Sequence, residues 1–412
     1  MRESKIPLSI YALAFAICAQ GTSELMLSGL LPAIASDLDV SLSSAGLLAS
    51  GFAVGMAVGA PMLTVATLGW PRRHAMLAFL AAFVATHVVG AMAPSYEVLM
   101  VSRVLGAIVY AGFWVVAIVS AVSLVPPQLK GRALAIVAGG LTIATIVGVP
   151  AGTVLGQQFG WRATVWAVAV LTAVSAIGIL ATAPRDHRGS APRPQLRREL
   201  EALGNPRLWL AYVATAMSSG QAFATFTFVG ALLIEVSSVP ESWVPAALVV
   251  SGVGSLLGLV VGGRTSDRWP FATLAIGFGG AAITALLLFT TAAMPIPAIL
   301  LSAVLQFFAF ATNPAVNVRV FTLAANAPNL AGAGNITGFN IGIIVGPALS
   351  AALIDNGFGL AAVAWASAGM AVVGLAATGW SYALRHKDPH GRETGDEAEA
   401  LPLLASSRSV EW

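Results

Sequence analysis

One acidic side chain stands in the middle of a long apolar run. Glu24 lies within residues 8–34, and a membrane-spanning helix needs about 20 mostly apolar residues. Gln20 and Ser28 lie four residues before and after it, so the three side chains share one helix face. An ionisable group at the bilayer centre costs about 2.5 kcal/mol or more unless it faces protein or water. The pattern predicts a protonatable site in a transport pathway; the alternative is an acid kept neutral by a structural hydrogen bond.

A second charged side chain, Arg103, lies inside another apolar run, residues 97–124. Its guanidinium stays protonated and therefore needs an anion, carbonyl oxygens or water. Glu24 is the acid near the middle of a predicted span, so we predict that the two side chains pair in at least some conformations and couple a proton to a substrate. In the alternative, Arg103 lies near a helix end and extends to the membrane surface.

Other polar and aromatic side chains are candidates for contact with a substrate. They are Gln20, Glu24, Tyr110, Trp114, Gln221, Phe226 and Asn340. Amides in membrane helices also bridge neighbouring helices, and aromatic rings also pack against lipid, so packing is the alternative for each of them. His87, in the third apolar run, is interpreted as a hydrogen-bonded structural histidine.

The composition identifies an integral membrane protein. Of the 412 residues, 57% are hydrophobic and 9% are charged, and the mean hydropathy is +0.84, whereas soluble domains carry roughly 25% charged residues. The net charge of +3 does not indicate a nucleic-acid partner, because the basic residues are distributed by membrane side.

The apolar residues form twelve runs, which predict an all-α membrane protein with twelve transmembrane helices in two six-helix halves. The runs are residues 8–34, 43–66, 75–93, 97–124, 132–156, 163–182, 208–235, 244–263, 271–292, 296–321, 331–354 and 360–384. We predict an N-terminal half over residues 1–183 and a C-terminal half over residues 208–384. A basic, proline-rich cytoplasmic linker, residues 184–207, joins them, and residues 385–412 form a disordered cytoplasmic tail.

A weak internal repeat supports two related halves. Glycines recur every four residues in the second run and again in the eighth, as Gly51, Gly55 and Gly59 and as Gly254, Gly258 and Gly262. Small residues at this spacing let helix backbones approach closely. The pair Gly148 and Pro150 in the fifth run is similar to Gly346 and Pro347 in the eleventh. Two parallel halves around a midplane site are a transporter architecture.

The basic residues predict the orientation. Of the 21 lysine and arginine residues, Arg103 and Arg162 alone do not fall on the side that holds both termini. Because cytoplasmic loops carry the excess of positive charge, we expect both termini in the cytoplasm.

The motifs of several enzyme classes are missing from the sequence. It has no Walker A loop, no His-Glu-x-x-His metal motif and no Gly-x-Ser-x-Gly nucleophile motif. These absences argue against ATP hydrolysis, metal chemistry and serine hydrolysis. We therefore expect neither enzyme activity nor a cofactor.

In its first and fourth predicted spans the chain resembles the major facilitator superfamily, in its twelve-span drug:proton antiporter group. Residues 21–32 are similar to the acidic first-span motif, which implies that Glu24 is the proton and substrate site. Arg103, with Gly106, resembles the fourth-span arginine motif associated with proton coupling. The resemblance covers residues 6–384.

Two further motifs imply a conformational switch. Residues 148–152, with Gly148 and Pro150, look like the fifth-span antiporter motif, and residues 263–268, with Asp267 and Arg268, resemble the loop motif that controls switching. The first-half copy of that loop lacks an aspartate, so the resemblance implies switching through Asp267.

Within the group, the chain is most similar to actinobacterial chloramphenicol exporters, in residues 46–61, 111–113, 160–164 and 223–228. The resemblance implies proton-coupled efflux of a small amphipathic drug, chloramphenicol, by alternating access. Sugar or nucleoside exporters share several of these runs and are the alternative within transport. A membrane receptor, which needs no titrating midplane acid, is the alternative outside transport. The expected partners are the drug, protons and the lipid bilayer of the plasma membrane, around a monomer.

Overall fold

The computed structural model describes residues 6–67, 70–126, 129–183, 204–266, 268–324 and 328–385. These residues form helices and no strands, and twelve of the helices are long and apolar enough to cross a membrane, as predicted. The tail from residue 386 and residues 184–203 of the predicted linker lie outside the described residues.

The first six spanning helices are α1 (Leu8–Leu25), α2 (Leu42–Ala66), α3 (Arg72–Ala91), α4 (Tyr96–Ser123), α5 (Arg132–Phe159) and α6 (Trp161–Thr182). The second six are α7 (Pro206–Val236), α8 (Val244–Ser266), α9 (Pro270–Thr291), α10 (Pro295–Leu323), α11 (Pro328–Leu353) and α12 (Val363–Arg385). Because twelve spans bring the chain back to the side on which it starts, Leu8 and Arg385 share one end. We call this the terminal end of the bundle and the opposite one the distal end.

The predicted first span is two helices in the structure. α1 ends at Leu25, and a second piece, Leu27–Asp37, continues beyond Met26 toward the distal end. The hydroxyl of Thr22 donates back to the carbonyl of Cys18 at 2.8 Å, a bond that bends helices. The break leaves the last carbonyls of α1 in need of other partners, and the site described below uses one of them.

Two other spans contain irregular turns. α7 is interrupted after Phe226 and resumes at Val229. In α5 a π-helical turn, Ala144–Gly148, directly precedes the segment with Pro150. Proline has no N–H to donate, and a wider π turn accommodates the missing bond.

The glycine rows bring helix backbones into contact. A Cβ atom on Gly55 of α2 would lie 2.4 Å from the carbonyl oxygen of Val104 in α4, and one on Gly258 of α8 would lie 2.1 Å from that of Phe307 in α10. Gly258 follows Gly55 in the sequence by the same number of residues as Phe307 follows Val104. The two halves therefore repeat the same helix pairing, and only glycine permits it.

The two six-helix sets meet in the distal half of the bundle. Three hydrogen bonds between described residues join them there. Ser43 donates to Asp355, and Ser50 donates to the carbonyl of Ile344 at 2.9 Å. The third runs from the side chain of Gln157 to the carbonyl of Glu241, at 2.7 Å. All three hydrogen bonds lie between the middle of the spans and the distal helix ends. The distal end is therefore closed in this conformation.

An ion pair fastens helices within the first set at the distal end. Asp37 accepts hydrogen bonds from Arg162 and, at 3.1 Å, from the indole of Trp161, while Arg162 also donates to the carbonyl of Ala93 at 3.0 Å. The hydrogen bond from Arg162 holds the pKa of the Asp37 carboxyl below its ordinary value, assisted by Trp161. Because the folded-state pKa is depressed, this contribution to stability is present above the ordinary carboxyl pKa and is lost as the pH falls through the folded value.

The glycine contacts predict a position-specific effect of an added methyl group. Gly258→Ala forces α8 away from α10, because its Cβ atom would overlap the Phe307 carbonyl, and overpacking of this kind costs about 1–3 kcal/mol. We expect a lower melting temperature for the purified protein in detergent. Gly263→Ala, in the same helix with nothing within 4 Å of its added Cβ atom, is the control and should melt like the original protein. Equal melting of the two variants would contradict the packing described here.

Candidate functional site

Arg103 is buried in the first six-helix set, where α1, α3 and α4 converge. It is 4% exposed, so it cannot reach the membrane surface as the alternative required. Its Nη1 atom donates to both the carbonyl oxygen and the hydroxyl of Ser23, each at 2.8 Å. Its guanidinium lies over the ring of Phe52, 4.4 Å from the centroid, in a cation–π contact.

The local course of α1 makes this contact possible. Ser23 lies in the last turn of α1, whose terminal carbonyls lack partners within the helix. The C-terminal end of a helix also carries partial negative charge, which attracts a cation. The break after Leu25 thus supplies both an acceptor and a favourable potential for Arg103.

His87 of α3 completes a chain of hydrogen bonds. Its Nε2 atom lies 2.6 Å from the Ser23 hydroxyl, and its Nδ1 atom lies 2.9 Å from the carbonyl oxygen of Phe83. The imidazole is also stacked on the Phe83 ring, with centroids 4.0 Å apart. The interpretation of His87 as a hydrogen-bonded histidine agrees with this arrangement.

Glu24 lies beside these hydrogen-bonded residues but makes no hydrogen bond with them. It is partly buried and close enough to Arg103 and to Tyr110 for electrostatic interaction. Among the described residues Glu24 has no hydrogen bond or ion pair. The ion pair in the described part of the chain joins Asp37 and Arg162 at the distal end. In this conformation the predicted pairing of Glu24 with Arg103 is therefore an electrostatic proximity, while the guanidinium is bound to Ser23.

Aromatic side chains surround the group. Tyr110 is 1% exposed, and its ring lies 6.1 Å from those of Phe52, Phe83 and Trp114, in tilted or edge contacts. The Tyr110 hydroxyl would lie 3.6 Å from a Cβ atom on Gly21, so Tyr110 packs against α1. The structure thus gathers Glu24, Arg103, Tyr110 and Trp114 in one region.

The two predicted glutamines occupy equivalent places in the two halves. Gln20 precedes the break of α1 at Met26 by the same number of residues as Gln221 precedes the break of α7 at Thr227. Both glutamines are completely buried. The Gln20 amide donates to the carbonyl of Ala16 at 3.3 Å, but its Oε1 atom and both polar side-chain atoms of Gln221 have no hydrogen-bond partner among the described residues.

The other predicted residues of the second half make local contacts. The ring of Phe226 meets that of Phe223 edge-on, at 6.3 Å. Asn340 donates to the carbonyl of Ile336 in its own helix, at 3.0 Å. These contacts do not connect Phe226 or Asn340 to the Glu24 region.

The residues predicted to switch conformation lie in two places. Gly148 packs against α1, since an added Cβ atom would lie 2.1 Å from the Thr22 hydroxyl, and Pro150 is buried just beyond the π turn. Arg268 is exposed at the terminal end, 4.9 Å above the ring of Trp269. Asp267 lies outside the described residues.

Sequence reasoning missed three contributors to these regions. It did not assign roles to Ser23 and Phe52 beside Arg103, and it did not connect His87 to them, because contacts between helices far apart in the sequence leave no local pattern. It also missed Gln306, which is 4% exposed, with an unpartnered Oε1 atom. Gln306 follows Arg103 in the sequence by the same number of residues as Gly258 follows Gly55. The repeat of the glycine rows was therefore the signal that could have identified Gln306.

Comparisons with known proteins agree with this architecture. The family model described as Major Facilitator Superfamily matches residues 13–336 and 242–410. A chloramphenicol resistance protein of Streptomyces lividans is 41% identical over 372 residues, which is 90% of this chain and 95% of the relative. A chloramphenicol efflux pump of Mycobacterium tuberculosis is 31% identical over 389 residues, 90% of this chain and 91% of the relative.

A solved structure shares the fold. A bacterial homologue of the human lysosomal transporter Spinster, in an inward-facing and occupied conformation, superposes with a TM-score of 0.71. The two are 17% identical, and the match covers 93% of this chain and 97% of the other. At this identity the likeness concerns the fold alone.

The unpartnered amide of Gln221 predicts an unusual stability effect. Gln221→Leu removes two buried polar atoms that have no partner, and such atoms cost about 1–3 kcal/mol each. We expect the ligand-free variant to melt at the same temperature as the original protein or higher. The matched variant is Thr225→Val, one turn along α7, which loses the 2.6 Å hydrogen bond to Ser367 and should melt lower. A drop for Gln221→Leu as large as that for Thr225→Val would show that the amide has a partner in solution.

Proposed function

The chain belongs to the major facilitator superfamily, and from this premise we propose that it exports chloramphenicol in exchange for protons. The observation that carries the substrate is the 41% identity, over 90% of this chain, to a chloramphenicol resistance protein. Chloramphenicol is small, amphipathic and uncharged, so Glu24 would meet it as a hydrogen-bonding group or a competing proton site. Aromatic rings such as those of Tyr110 and Trp114 would suit its nitrophenyl ring.

Proton coupling is assigned to Glu24 and Arg103. Glu24 is the titratable acid in this region and has no hydrogen-bond partner among the described residues, so a proton or a substrate group can reach its carboxylate without breaking an existing bond. Arg103 supplies a fixed positive charge nearby. Proton binding to Glu24 depends on conformation if this charge lies closer to the carboxylate in one conformation than in another, and such dependence is the requirement for coupling.

The amides of Gln20 and Gln221 are proposed to take part in substrate binding. Three of their polar atoms are buried without a partner, and an unsatisfied group of this kind needs an explanation. A neutral ligand that carries hydroxyl and amide groups can satisfy donors and acceptors together. We assign the same role to Asn340, with Phe226 as an apolar wall.

Alternating access is proposed to open the closed distal end. The two six-helix halves would separate there and close at the terminal end, with the Gly148–Pro150 turn and the motif that contains Asp267 and Arg268 as the conformational switch. The distribution of lysine and arginine supports a cytoplasmic position for the terminal end and for both termini. The protein would act as a monomer in the plasma membrane.

The first test is drug accumulation in cells that express the protein. We expect low chloramphenicol accumulation, which rises when a protonophore is added and rises equally in Glu24→Gln, because the amide cannot exchange a proton. Glu97→Gln makes the same chemical change at an exposed acid of α4 and should export normally. Active export by Glu24→Gln would refute the proton site, whereas accumulation unchanged from empty cells would refute chloramphenicol as the substrate.

The second test locks the distal end. Ser43 and Asp355 are in hydrogen-bond contact across the two halves, so Ser43→Cys with Asp355→Cys, in a Cys18→Ser background, should form a disulfide under a mild oxidant. We expect oxidation to stop export and a reductant to restore it, since alternating access requires these side chains to part. Each single-cysteine variant serves as a control. Undiminished export by the fully cross-linked protein would rule out opening at this place.

A further inference from the structure

The hydrogen bonds around Ser23 have a defined direction. The Phe83 carbonyl can only accept, so Nδ1 of His87 must carry the proton that lies between them, at 2.9 Å. In a neutral imidazole the other nitrogen is then an acceptor. The Ser23 hydroxyl therefore donates to Nε2 of His87 across 2.6 Å and accepts from Arg103 across 2.8 Å.

The three residues of this hydrogen-bond chain are also held in place by burial and packing. Ser23 is completely buried, and His87 and Arg103 are 5% and 4% exposed, so water does not compete for their bonds. The imidazole is held by its stacking on Phe83, and the guanidinium is held against the ring of Phe52. A Cβ atom on Gly106 of α4 would lie 3.6 Å from His87, so this glycine lets α3 and α4 come close.

Only one edge of the guanidinium is occupied. Nη1 of Arg103 makes both bonds to Ser23, whereas its Nε and Nη2 atoms have no hydrogen-bond partner in the part of the chain that the structure describes. Arg103 is therefore held near Glu24, with unused donors, by residues other than Glu24. The charged and titratable groups around this place are Glu24 and Cys18 on α1, His87 on α3 and Tyr110 on α4, besides Arg103 itself.

We infer that Ser23 and His87 are positioning residues that, in this conformation, keep Arg103 bound to Ser23 and turned from the Glu24 carboxylate, and thereby set the strength of proton coupling. The inference rests on the proposed function. His87 acts as a neutral hydrogen-bond acceptor for Ser23, and Ser23 transmits that orientation to Arg103. Without the Ser23 hydroxyl, Arg103 loses one of its two bonds and can turn toward the Glu24 carboxylate.

Purified protein in liposomes can separate coupling from substrate handling. Two rates are compared: chloramphenicol transport driven by a pH gradient, and chloramphenicol exchange without a gradient. For Ser23→Ala and His87→Leu we expect gradient-driven transport to fall about tenfold, equivalent to about 1.4 kcal/mol, while exchange stays within about twofold. Ser23→Thr, which keeps the hydroxyl, should restore the gradient-driven rate. The control Ser102→Ala removes a buried hydroxyl of α4 that bonds only within its own helix, to Leu99, and should change neither rate.

The outcomes distinguish this inference from the proposed function. If the original protein shows no gradient-driven chloramphenicol transport, the proposed function fails. If the original protein transports and Ser23→Ala matches it, or loses both rates in equal proportion, the positioning role is wrong.

A spectroscopic measurement tests the hydrogen-bond chain without transport. In nitrogen NMR of histidine-labelled protein, with the His87 signal identified by its loss in His87→Leu, we expect the neutral tautomer that carries its proton on Nδ1. Ser23→Ala should shift the Nε2 signal, and Ser102→Ala should not. A His87 signal indifferent to Ser23→Ala would overturn the inference.

Discussion

The structure depends on how a permanent positive charge is accommodated in an apolar interior. Arg103 cannot lose its proton, and transfer of a charge from water into an apolar medium is costly unless it is hydrogen-bonded. The protein meets this requirement with a broken helix. The end of α1 offers the carbonyl of Ser23 and a negative dipole, the Ser23 hydroxyl adds a second acceptor, and the Phe52 ring covers the remaining face. Helix α3 takes part as well, because Nε2 of His87 accepts the hydrogen bond from the Ser23 hydroxyl.

The two halves share a scaffold and differ in charge. The same glycine-to-backbone contacts occur in both halves, and a buried glutamine precedes the helix break in each. At the positions of Glu24 and Arg103, however, the second half has Thr225 and Gln306. The carbonyl equivalent to that of Ser23 belongs to Ala224 and accepts from the Ser350 hydroxyl at 2.9 Å. At these equivalent positions, one half therefore holds ionisable side chains and the other holds neutral hydrogen-bonding groups.

Close helix approach and helix breaks serve complementary purposes. Glycine rows bring α2 against α4 and α8 against α10 by direct backbone contact. The irregular turns in α1, α5 and α7 lie in helices that line the contact between the halves, as where a Cβ atom on Gly230 would lie 2.3 Å from the Ser28 carbonyl. The contact between the halves is thus made by irregular helices together with α2, whose Ser43 and Ser50 also bond across it.

The sequence by itself determined the class, the twelve spans and the two buried charges, because apolar length and the cost of a charge in lipid are local properties. It also contained the repeat, in the spacing of Gly55 and Gly258. Only the tertiary structure decided that Arg103 binds Ser23 and not Glu24, that His87 supports this bond and that the distal end is closed. These facts depend on which faces of α1, α3 and α4 meet and where α1 breaks. That choice is made by packing between residues as far apart in the chain as Ser23 and Arg103, and no local pattern encodes it.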